Sequence, residues 1–236
     1  MILQFGYFGL MVMINLILAY FGFTAIDRSF APEKSKKKKF ILILGLIIWQ
    51  VYIYTITTSG FIQTFEFPPR FALTMIFPAF IFTGVFVYRN RNNDWTTHIP
   101  SSWLFFFQSF RILVEVLFVM SVTEGILHKE ASIEGYNFDM AYAFTVPIVG
   151  YIVFFRKKLS MKVIRIWNYL GLLVLATVIF VFMTTIYLPE IYGATQTLMP
   201  IEGLTYPYVL VAGFLMPCAV FVHVLSIAQL NRILKS

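Results

Sequence analysis

Gln108, Arg111 and Glu115 sit three and four residues apart inside the apolar stretch from Ser101 to Val122. At about 100° per helical residue they share one face, which Leu104, Phe118 and Val122 extend. A charge at a bilayer centre costs roughly 2.5–3.5 kcal/mol even on the lenient insertion scale. This face must therefore look at other helices or at water. Arg111 is suited to an anionic group or a counter-carboxylate, and Glu115 to carrying a proton. The structural alternative is an (i, i+4) Arg111–Glu115 ion pair that neutralises itself and fixes packing, at a desolvation cost.

Four further residues join this candidate ligand or proton site. Asp139 opens a later apolar segment in Asn137-Phe138-Asp139, either as a ligand or proton contact or as a helix cap. His223 lies on a face with Ala212, Met216, Ala219 and Ser226. Histidine titrates near neutral pH, but a packing role competes. Asn168 follows Trp167, and Arg70 ends Pro68-Pro69-Arg70. Ordered by depth, the expected column has His223, Gln108 and Asn168 low, Arg111 central, and Glu115, Asp139 and Arg70 high.

The elements that must position these residues are membrane helices. The chain has 236 residues, 59% hydrophobic and only 12% charged, whereas a soluble domain is about a quarter charged. The fold class expected is all-α and polytopic, a single domain of seven transmembrane helices. Spans fall near 2–25, 40–62, 70–88, 101–122, 137–155, 164–188 and 206–231, each long enough for about 30 Å of hydrocarbon. The first lacks a basic n-region and a clear cleavage site, so it reads as a retained helix. Pro147 is expected to kink the fifth span.

The net charge of +7 follows topology. Arg28, Lys34, Lys36 to Lys39, Arg89, Arg91, Arg156 to Lys158, Lys162, Arg165, Arg232 and Lys235 all fall on one side. Of the 18 Lys and Arg residues, the others are Arg70 and Lys129 on the opposite side and Arg111 within a span. The positive-inside rule then puts the N-terminus outside and the C-terminus in the cytoplasm. The lysine run reads as an anchor beside anionic lipid rather than a nucleic-acid site.

Several chemistries are disfavoured. Lys235 lies beyond the last span, so no Schiff-base lysine is available there for retinal. His98 and His128 fall in loops, away from any bis-histidine haem site. Thr57-Thr58-Ser59-Gly60 lacks the first glycine of a serine-protease motif. One intramembrane histidine and scattered carboxylates make a poor metal site, and no phosphate-cradling glycine loop occurs. Cys218 excludes an intrachain disulfide and a cysteine-based zinc site. No cofactor is expected.

Pro68-Pro69-Arg70, Gln108-x-x-Arg111-x-x-x-Glu115, Asn137-Phe138-Asp139, Trp167-Asn168 and Pro217-x5-His223-x-x-Ser226-x-x-Gln229-Leu230 together carry a resemblance. Across about residues 65 to 231 the chain resembles a group of small, functionally uncharacterised bacterial multi-pass membrane proteins. The resemblance implies a bacterial inner (cytoplasmic) membrane and these residues acting as a unit, and brings no substrate. Three functions remain open: small-molecule binding or transport, with or without a linked proton; an intramembrane enzyme for a lipid or isoprenoid, using Asp139, Glu115 and His223; and a non-catalytic scaffold or partner subunit. The bilayer is the expected partner, with a small-molecule or lipid ligand and no nucleic acid. Oligomeric state is left open.

Overall fold

The computed structural model describes residues 1–235 and is all-α, with no strand among them. Among the described residues six helices are long and apolar enough to cross a membrane: α1 Ile2–Ser29, α2 Pro32–Thr58, α3 Ala72–Asn90, α4 Ser101–Thr123, α6 Met161–Tyr187 and α7 Val211–Ile233. Between them, α5 Asp139–Phe155 is apolar but shorter. At 1.5 Å per residue it reaches about 25 Å.

The largest departure from the expected spans is at the lysine run. It does not form a loop. Pro32 starts α2 in the first helical turn, with Glu33 beside it, and Lys34 to Lys39 continue the helix. Proline is pre-set for this position and lysine is a good helix former. The connection from α1 shrinks to Phe30 and Ala31. Asp27 closes this corner, accepting from Ser35 Oγ at 2.7 Å and pairing with Lys39 at 2.6 Å. The seventh helix also begins later than expected, because Tyr206, Pro207 and Tyr208 lie in a turn before Val211.

Prolines shape three helices. Each lacks the N–H that would bond four residues back, and a wide five-residue turn adjoins each: Ala72–Ile76 before Pro78, Tyr151–Phe155 after Pro147 and Val211–Leu215 before Pro217. Two of the carbonyls deprived of a regular donor belong to Thr74 and Gly213. α2 serves both: Tyr52 Oη donates to Thr74 O at 2.8 Å, and Trp49 Nε1 donates to Gly213 O at 3.0 Å. The two rings stack on each other, 5.3 Å between centroids. This aromatic pair docks α2. Elsewhere α2 exposes Phe40, Ile41, Leu44, Ile47, Ile48 and Val51, as a lipid-facing helix should.

α7 is the centre of the bundle. It packs on α3, on the first half of α4 and most extensively on α6. Its polar residues His223, Ser226 and Gln229 face inward. Gln229 donates to Thr96 O at 2.7 Å and Ile99 O at 2.6 Å, and accepts from Ser101 Oγ at 2.6 Å. One buried amide thereby fixes the start of α4. α1 meets the second half of α4 through Tyr7 Oη and Ser121 Oγ, 2.8 Å apart.

Candidate functional site

α4 is not one regular helix. At Gln108 and Ser109 it tightens: Gln108 N–H bonds Phe105 O, Ser109 N–H bonds Phe106 O and Arg111 N–H bonds Gln108 O, at 3.2, 3.0 and 3.2 Å. Such three-residue closures turn the chain faster than an α-helix. Arg111 stands just past this point. Leu104, Gln108, Arg111, Glu115 and Phe118 are all buried, as the expected stripe requires, while Val122 is half-buried.

The partner of Arg111 is Asp139, the first residue of α5, and not Glu115. Arg111 Nε donates to Asp139 Oδ2 at 2.9 Å, and Nη2 lies against Asp139 Oδ1. The contact is bidentate, the arrangement that suits a planar guanidinium and a carboxylate. Nη1 donates to His223 Nε2 at 3.1 Å, and the guanidinium lies 4.6 Å from the Tyr142 ring centroid. Asp139 is therefore a counterion. The N-cap position of α5 is Phe138, whose side chain makes no capping hydrogen bond; Asn137 Oδ1 accepts from the Asp139 N–H at 2.9 Å.

Arginine can only donate, so His223 Nε2 must accept. Its Nδ1–H then donates to Asn168 Oδ1 at 2.8 Å. Asn168 Nδ2 in turn donates to Ile164 O at 2.8 Å and to Ser226 Oγ at 3.1 Å. One neutral tautomer satisfies the whole chain from Asp139 to Ser226. Gly171 makes room for it, since a Cβ there would overlap the His223 ring and the Tyr142 hydroxyl. His223 and Asp139 thus flank one guanidinium, closer than the expected column placed them.

Glu115 is held separately. Asn137 Nδ2 donates to Glu115 Oε1 at 2.8 Å and to Ala131 O at 3.0 Å. Glu115 Oε2 has no hydrogen-bond partner among the described residues, although the residue is 0% exposed. Gln108 is equally buried; its Nε2 donates to Ala219 O at 3.2 Å. Arg70 stays outside the cluster, 3.3 Å from Glu66 and 5.3 Å from the Phe61 ring centroid. Asn137 and Tyr142 were missing from the expected site. The Asn137-Phe138-Asp139 motif was the available signal for the first, and the shared helical face of Asp139 and Tyr142 for the second.

Arg111, Glu115 and Asp139 border a cavity of about 110 Å³. Its walls are mainly apolar, from α4, α6 and α7, with Tyr7, Ser121 and Tyr208 adding hydroxyls. This volume has room for several waters or a slender organic molecule. Near the α6 side of the cavity, in the connection after α4, His128 packs on Phe182 and lies 3.4 Å from Glu130. Burial holds its imidazole below the ordinary histidine range, with Glu130 opposing. Among the described residues no group of three His, Cys, Asp or Glu side chains can hold a metal ion.

No protein family, curated protein or solved structure matches this chain. The helices are those of a multi-pass membrane protein, and the buried polar cluster is the strongest pointer to function.

Proposed function

We propose that the chain is a seven-helix protein of a bacterial inner membrane, N-terminus outside and C-terminus cytoplasmic. We propose further that it binds or transports a small molecule, with Glu115 carrying the ligand contact or a proton. The one-sided distribution of Lys and Arg at helix ends and in connections supports the topology. Counting α5 as a span requires only a small local thinning of the bilayer.

The observation that carries the functional reading is Glu115, a buried residue that borders a cavity and whose Oε2 has no hydrogen-bond partner among the described residues. An unsatisfied buried carboxylate oxygen costs stability, and a solely structural ion pair would not need one. Arg111 is already neutralised by Asp139. With His223 neutral, the cluster carries one carboxylate in excess, which a proton or a cation can balance. A scaffold role would be favoured by mutually satisfied polar groups and no cavity, and this bundle has neither feature. Lipid chemistry at Asp139 and His223 is less well supported, because both already bond Arg111.

Native mass spectrometry of the gently purified chain tests the reading. Wild type is expected to carry a reproducible bound mass that Glu115→Gln loses while keeping a cooperative thermal transition. The same mass in both proteins would refute it.

A further inference from the structure

The carboxylate left over by the cluster also selects a ligand class. Resting on the reading of Glu115 as the ligand site, the geometry points to a lipophilic ammonium, its cationic head against Glu115 and its apolar body between α6 and α7.

Charge excludes the opposite class. The Arg111 guanidinium is engaged on one side by both oxygens of Asp139 and on another by His223. An anionic head would find no free cation and would face Glu115. An ammonium would meet Glu115, a lining carboxylate with one oxygen unpartnered among the described residues. The lining also includes Tyr7, Phe110, Phe118, Phe182 and Tyr208. Aromatic faces attract ammonium groups within about 6 Å, most strongly where water is excluded.

The walls exclude polar bodies. Val178, Ile179, Met183, Ala212 and Met216 offer a sugar or nucleotide no side-chain hydrogen bonds, and burying its polar groups unpaired would be costly. The same residues are half-buried rather than sealed. At the opposite end α6 and α7 close tightly, through Asn168 with Ser226 and Gly171 with His223. The two helices thus meet at one end and flank the cavity at the other. A bilayer-dissolved amphiphile can approach between them.

A single carboxylate can be neutralised by a proton or by an ammonium, not by both. When the acid form of Glu115 takes up an ammonium, its O–H bond breaks. The proton leaves to solvent, and the carboxylate pairs with the cation. The charged and titratable groups around Glu115 are Arg111 on α4, Asp139 and Tyr142 on α5, Tyr7 on α1, Tyr208 before α7, and His223 on α7. Arg111 and Asp139 cancel, so Glu115 is the group left to exchange its proton.

The test is calorimetric titration of the full chain in a non-ionic detergent with hexylammonium, hexanol and hexanoate, three heads on one body. Hexylammonium should bind at one saturable site, at least about tenfold tighter than the other two (about 1.4 kcal/mol). Its affinity should fall toward acid pH, with proton release shown by buffers of different ionisation enthalpy. Glu115→Gln should lose this binding; the head-group comparison on wild type stands even if that variant misfolds. Equal or tighter binding of hexanol or hexanoate overturns the ammonium class. If that binding is still lost in Glu115→Gln, the ligand-site reading survives. Failure of all three to bind overturns the ammonium class as well. The ligand-site reading falls with it only if wild type also carries no bound mass that depends on Glu115.

Discussion

At the scale of residues, the ion pair rather than either charge is the unit of stability. Removing one partner of a buried pair strands the other, at about 3–5 kcal/mol, whereas replacing both by apolar groups is often nearly neutral. Asp139→Leu should therefore cost about that much in thermal or denaturant unfolding, and Arg111→Met with Asp139→Leu should recover much of it. An additive double variant would show that the two residues do not act as a pair. The polar residues themselves were legible in the sequence, because ionisable side chains within apolar stretches are expensive and face inward. Their pairing was not. Spacing on one helix favoured Arg111 with Glu115, but Asp139 takes the guanidinium and Asn137 takes Glu115 from a connection folded over the bundle. Contacts between helices carry no signal in one chain's periodicity.

At the scale of elements, hydropathy located the helices well, and it failed where backbone hydrogen bonding decides the boundary. The lysine run looks like a loop by charge, yet Pro32 begins a helix through it. The wide turns beside Pro78, Pro147 and Pro217 follow from missing N–H groups, and the kink expected at Pro147 marks one of them. The tightening at Gln108 has no proline or glycine to announce it. The one-sided placement of Lys and Arg makes a prediction of its own. In a Cys218→Ser background, an impermeant thiol reagent on intact cells should label Glu134→Cys and spare Lys37→Cys until the membrane is opened. The reverse pattern would invert the topology.

For the whole molecule, the bundle separates two tasks. α7 and α6 close tightly around a satisfied chain of hydrogen bonds from Asp139 to Ser226, which holds the helices in register. Beside it the same helices border an apolar cavity with one unpaired carboxylate. The first arrangement explains why Arg111 can be 2% exposed in a membrane bundle; the second has no structural purpose that the packing requires. The central claim is that Glu115, outside any ion pair, is reachable from an apolar phase, while Asp139 is not. Dicyclohexylcarbodiimide, an apolar reagent for protonated carboxyls, tests this most directly, with peptide mapping by mass spectrometry at mildly acidic pH. The account predicts one adduct inside the bundle, at Glu115, with Asp139 spared by its bond to Arg111. An unmodified Glu115, or modification of Asp139 in its place, would contradict it.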